Sequence, residues 1–144
     1  MDALLRISVV DPDDDYLGLE IHAASQRFAG TARIYAGHGQ LSELASRLEG
    51  FPVSPQDQRE YEFGSKAAGT AGGYVALRFH CERASGPAAV SVTVEDDEPW
   101  HGAAAASFRF FVYPADIDKF VLRIRAVERA QSGETVLLGT KEAP

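Results

Sequence analysis

The sequence predicts an α+β domain: a mainly antiparallel, strongly curved sheet of about seven strands with two helices. The element order is βββ-α-ββββ-α, with a final short strand possible by pattern. Three observations predict it. Apolar residues alternate with period two along much of the 144-residue chain, the mark of half-buried strands. Two stretches switch instead to helical spacing. Most links between successive strands are too short for a parallel crossover. The length fits one domain, 1–144, and 45% hydrophobic residues supply a core without help from disulfide or metal.

Each element has its own signal. Leu5, Ile7 and Val9 share one face of a strand over about 4–10. Asp11-Pro12-Asp13-Asp14-Asp15 turns the chain, because proline fixes φ and aspartates bond back to local backbone. Leu17, Leu19, Ile21 and Ala23 form the apolar face of the next strand, with Gly18, Glu20 and His22 opposite. A third strand, from about 28 to 35, puts Phe28, Ala32 and Ile34 on one face and Thr31, Arg33 and Tyr35 on the other. Leu41, Leu44, Ala45 and Leu48 then make a helical stripe, supported by Glu43 four residues before Arg47. Gly50 and Pro52 stop it.

The second half returns to strands. Tyr61 and Phe63 alternate with Glu60 and Glu62. Val75, Leu77, Phe79 and Cys81 oppose Tyr74, Ala76, Arg78 and His80. Val90, Val92 and Val94 follow, and Phe108, Phe110 and Val112 alternate with Arg109, Phe111 and Tyr113. Pro114 opens a second helix whose stripe is Ile117, Phe120, Val121, Ile124 and Val127. Asp116 and Asp118 start it and Arg123, Arg125 and Arg129 follow, which complements the helix dipole. Residues 134–138 read as the short last strand. Matching the two periodicities predicts Val75, Leu77, Phe79, Val90, Val92, Phe108 and Phe110 in a layer against Leu44, Leu48, Phe120, Val121 and Ile124.

The charge is uneven. Lys+Arg total 14 against 21 for Asp+Glu, a net charge of −7. Eight acids fall in two short clusters, Asp11, Asp13, Asp14, Asp15 and Glu95, Asp96, Asp97, Glu98, so the rest of the chain is close to neutral. Such a local field disfavours nucleic acid and anionic membrane and favours a basic partner, unless the two clusters are simply solvated turns. No apolar run is long enough to span a membrane and no signal peptide opens the chain, so a cytoplasmic protein is expected.

Tests for chemistry point away from catalysis. Asp11, Asp13 and Asp15 match three positions of a calcium loop, but Tyr16 replaces its glycine and His22 its final glutamate. His80 and Cys81 are neighbours on a strand and point to opposite faces. Cys81, the one cysteine, falls on the apolar face. The glycine-rich run 68–73 precedes a strand, so no helix N-terminus is there for phosphate. His22 and His80 could share a metal only if their strands are neighbours in register. No catalytic residue, metal or cofactor is expected.

Two groups remain. Arg33, Tyr35, Tyr74, Arg78, His80, Arg109, Phe111 and Tyr113 fall on the sheet face away from the helices, and arginine with aromatics is what interface cores use. The alternative is that the sheet curls, or a loop covers this face. Trp100, in the second acidic segment, is either an anchor inside a charged rim or a lid over the apolar layer. The partner-binding candidates are therefore Asp13, Asp14, Asp15, Glu95, Asp96, Asp97, Glu98, Trp100, Arg33, Tyr35, Arg78, His80, Arg109, Phe111 and Tyr113.

The stretches Tyr61-Glu62-Phe63-Gly64-Ser65, Gly73 to Phe79 and Phe108 to Phe120 resemble small bacterial immunity-type proteins. These are encoded beside polymorphic or wall-associated toxins, which they neutralise. The resemblance covers element order over about residues 4–130 and carries no individual residue's role. It implies a non-enzymatic, acidic binder of a basic toxin domain. The competing expectation is a small-ligand binder or enzyme with a pocket between the curved sheet and the second helix.

Overall fold

In the computed structural model, which describes residues 2–64, 72–98 and 102–142, eight strands and two helices follow one another. They are β1 (Leu4–Pro12), β2 (Leu17–Ala24), β3 (Ala29–Ala36), α1 (Gln40–Leu48), β4 (Gln58–Gly64), β5 (Tyr74–His80), β6 (Ala88–Asp96), β7 (Ala104–Val112), α2 (Pro114–Ala130) and β8 (Glu134–Leu138). The class is α+β, and every strand pairing among the described residues is antiparallel, where the short links predict a mainly antiparallel sheet. The single sheet of about seven strands is corrected. The strands form two sheets of four, ordered β3-β2-β1-β8 and β4-β5-β6-β7. The division falls between β3 and β4, which α1 separates in the chain and which do not pair. β8 returns to pair with β1, Leu4 opposite Leu138 and Ser8 opposite Glu134, a long-range choice that alternation does not encode. One isolated bridge, Phe111 with Thr140, ties the far end of the first sheet to β7.

Register explains the core. Ile7 faces Ile21, which faces Ala32, and Val9 faces Leu19, which faces Ile34. In the second sheet Phe79 faces Val90 and Val90 faces Phe110, while Leu77, Val92 and Phe108 form the next row. The apolar faces of both sheets and the stripes of both helices merge into one cluster, with Phe63, Phe79 and Phe120 among its fully buried side chains. Phe108 is only partly buried. Phe28 corrects the third-strand reading: it precedes β3, in a turn closed by Ser25, and is 63% exposed.

The sheets meet where β3 runs across the strand ends of the second sheet, a crossed packing that sheet corners use. Gly30 of β3 lies over Val94 and Ala106, and Ile34 lies beside Gly64. At Gly73 a Cβ would sit 2.7 Å from the Glu95 carbonyl oxygen and 2.8 Å from Ala32 Cβ. Only glycine fits so close an approach. The Gly73 N–H donates to the Arg33 carbonyl at 2.9 Å, sealing the junction.

The helices lean on each other, with α2 also against β8 and α1 against β4. α1 starts at Gly39, in a left-handed conformation with φ 100°, and its own N-cap supplies no side chain. Glu128 of α2 does that work, accepting the Gly39 N–H at 2.9 Å and the Ser42 hydroxyl. At the other end Arg59 of β4 donates to the Arg47 and Glu49 carbonyls at 2.8 and 3.1 Å. A carboxylate at the N-terminus and a guanidinium at the C-terminus satisfy orphan backbone groups and match the helix dipole.

Candidate functional site

The first acidic segment is shaped by its own backbone. Asp13 N–H donates to the Tyr16 carbonyl at 3.0 Å, and the Asp13 carboxylate accepts the Asp15 N–H at 3.0 Å. Such Asx turns hold carboxylates outward. A bulge between Val9 and Asp11 sets Asp11 opposite Gly18, and a Cβ at Gly18 would lie 2.7 Å from Asp11 Cβ. His38 Nε2, 2.8 Å from the Asp13 carbonyl, fastens this turn to the loop before α1.

Tyr16 leads from the acids to the centre of the site. Its hydroxyl donates to Asp11 at 3.3 Å, and the Asp11 charge, foremost, raises its pKa. Its ring meets Tyr35 edge-on, with centroids 5.4 Å apart. Tyr35 is 46% exposed. Beyond it, a Cβ on Gly72 would be 3.2 Å from the Tyr35 ring, and Gly73 touches Glu95 as described above. Glu95 sits opposite Tyr74 on β5, and Asp96 accepts the Glu98 N–H at 3.2 Å. A path of neighbours, Tyr16, Tyr35, Gly72, Gly73 and Glu95, thus links the Asp13–Asp15 turn to the start of the Glu95–Glu98 segment. Tyr74 is buried, and that burial, followed by Glu62 and Glu95, pushes its hydroxyl pKa up. Trp100 lies outside the described residues.

The arginine and aromatic candidates do not form one face. Arg33 and Tyr35 are on the outer side of the first sheet, where Arg33 sits opposite Glu20. Arg78, His80, Arg109 and Phe111 are on the outer side of the second, in the rows Arg78–Ser91–Arg109 and His80–Ala89–Phe111. Tyr113 belongs to neither; it is the N-cap of α2 and its hydroxyl donates to Glu142. The Arg109 guanidinium lies 5.8 Å from the Phe111 ring centroid and pairs with Glu82. That stacking covers a phenylalanine on an outward face.

His22 and His80 lie on different sheets. His22 Nδ1 is 2.7 Å from the Thr31 hydroxyl, and His80 Nε2 is 3.3 Å from that of Ser91. Among the described residues no three His, Cys, Asp or Glu side chains are grouped to hold a metal ion. Burial, then Asp57, pushes the Cys81 thiol up, so it stays protonated at neutral pH.

Burial is also the main cause holding both imidazoles below their usual 6.5, with Arg6 adding to it at His22 and Arg78 at His80. The unfolded chain therefore takes up these protons first as pH falls. Stability should decline as pH drops through about 6.5 and level off once both folded imidazoles are charged. The His22→Gln/His80→Gln variant should show a shallower decline in urea midpoint across that window. Equal slopes would refute the assignment.

One polar centre has no signal in the sequence. A groove of about 720 Å³ between α1 and β4 is lined by Ser42, Glu43, Ser46, Arg47, Arg59 and Tyr61. Burial, then a 2.9 Å bond to Glu43, pushes the Tyr61 hydroxyl up to about 12. It is therefore a fixed donor and not a base. A smaller groove between α2 and β8, about 580 Å³, carries Lys119, Arg123, Glu134 and the apolar Leu122 and Val136. No helix among the described residues is long and apolar enough to cross a membrane. No family model, curated protein or solved structure matches this chain.

Proposed function

We propose that this chain is a non-enzymatic protein-binding module that engages a basic partner through its acidic end. A basic toxin domain is the partner that the immunity-type resemblance implies. One observation carries the reading: a run of neighbours through half-buried Tyr16, exposed Tyr35 and Gly72–Gly73 links the two acidic segments, which are distant in sequence. A rim of charge around aromatic rings suits protein recognition, the charge steering encounter and the rings supplying contact area. A protonated Cys81 and a protonated Tyr61 leave these two groups poorly suited to nucleophilic or base chemistry. The α2–β8 groove is where the small-ligand alternative would act.

Capture from a lysate of the native host tests the proposal. The wild-type chain is compared with one whose Asp13, Asp14, Asp15, Asp97 and Glu98 are amides and whose Tyr35 is alanine. A basic protein retained by the first and lost by the second is expected. Equal capture by both, or an acidic partner, would overturn the reading.

A further inference from the structure

Of the four sheet edges, three are guarded. β3 gives its Arg33 carbonyl to Gly73, β8 lies against α2, and β4 carries Arg59, Glu60 and Glu62 and packs on α1. β7 is different. From Ala104 to Phe108 it has no charge, no proline and no bulge in its pairing with β6, the devices by which proteins blunt an exposed edge. Among the described residues its open side is met at its far end, where Thr140 N–H donates to the Phe111 carbonyl at 2.7 Å. Backbone groups alternate along a strand, so the N–H and C=O of Ala105, Ser107 and Arg109 face the same open side. A groove of about 460 Å³ runs beside this edge, walled by Ala3, Phe28, Phe108 and Phe110.

We propose that β7 is a self-association edge, at which a second copy of this chain adds its own β7 antiparallel about a two-fold axis at Ser107. The residues of β7 select both the occupant and the register. Centring on Ser107 pairs Ala105 with Arg109 of the second copy. It also sets Phe108 opposite Ala106 and Phe110 opposite Ala104, so each large ring meets a methyl group. Ala105 sits beside Glu95 on β6, so the second copy's Arg109 reaches an acid across one methyl. Shifting the register by one hydrogen-bonded pair would move Arg109 opposite Ala103 or Ser107, away from Glu95. The interface is isologous and closes after two copies. The two second sheets become one continuous sheet. This edge shares Glu95 with the second acidic segment, but the pairing does not depend on the partner proposed for the acidic end.

Sedimentation equilibrium of the full chain, from about 1 μM to about 1 mM, reads the association directly. A reversible monomer–dimer equilibrium is expected. Ser107→Pro removes an N–H that faces the open side, without touching the ladder to β6, and should weaken the dimer by about tenfold or more. Ala105→Lys, which sits beside Glu95 within its own sheet, should keep the fold and repel the second copy's Arg109. Arg109→Glu should weaken association, and Glu95→Lys combined with Arg109→Glu should restore part of it. A chain that stays monomeric throughout overturns the proposal and leaves the edge to an extended peptide of another protein. A dimer unaffected by both Ser107→Pro and Ala105→Lys overturns it equally.

Discussion

Replacing Phe79 with alanine lowers the stability of this protein by about 3–5 kcal/mol, the cost of deleting a fully packed aromatic ring. Phe79 is 1% exposed and sits in the central row of the second sheet, beside Val90. Its ring meets Phe51 at 6.2 Å between centroids, and Phe51 in turn lies under the Arg59 guanidinium. The cavity is therefore bounded on one side by a β-sheet that cannot close inward. On the other it is bounded by a ring held in place by a guanidinium that also caps α1. Little relaxation is available, which places the loss toward the upper part of that range. Urea denaturation checks it: the midpoint should fall while the slope stays the same. An unchanged midpoint would put Phe79 outside the core and undo the register of β5.

The second large effect is kinetic. Neutralising Asp13, Asp14, Asp15, Asp97 and Glu98 as amides slows association with the basic partner about tenfold or more at low salt. It also flattens the dependence of that rate on ionic strength. Glu95 and Asp96 are left intact because they are tied into the end of β6. Exposed charges act over about a Debye length, so they accelerate encounter while adding little to the bound state. Dissociation should change less than about threefold. Tyr35→Ala does the reverse, speeding dissociation with association near the wild-type rate, because aromatic contact area is what holds a formed complex. Stopped-flow association at several salt concentrations separates the two. If the amide variant instead accelerates dissociation, the acids are contacts and the steering account fails.

Much of the fold was legible because period two and period 3.6 report local burial. The stripe Leu41, Leu44, Ala45, Leu48 and the alternation of Val75, Leu77 and Phe79 are buried as the pattern requires. What pattern omits is partner choice. Alternation in β1 says which side chains face inward; it says nothing of β8 being its second neighbour or of β3 and β4 staying unpaired, so the pattern alone suggests one sheet where there are two. Phe28 was misplaced because an apolar residue at a strand's start looks the same as one in the preceding turn. The acidic segments are visible as composition, but the path that links them depends on Tyr16 meeting Tyr35 and on the close approach of Gly73 to β3 and Glu95. Both are tertiary contacts with no local period. The outward arginine and aromatic set was read as one face for the same reason. Alternation assigns a side of a strand, and two strands on different sheets can have the same parity.

The pairing of β8 with β1 also orders events in time. β4 to β7 form consecutive hairpins, each closing a short loop, and can assemble as soon as about 55 residues between Gln58 and Val112 are available. The first sheet cannot finish in that way, because the neighbour of β1 is Glu134–Leu138, near the opposite end of the described chain. On a ribosome, β1 waits with an open edge until β2 through α2 have been made, and α2 waits with it, since β8 is one of its supports. That interval is when the apolar rows of β1 and β2 are most exposed to other chains. The short last strand is thus the latch of the fold, and slowing its arrival lengthens the period in which the nascent chain depends on chaperones.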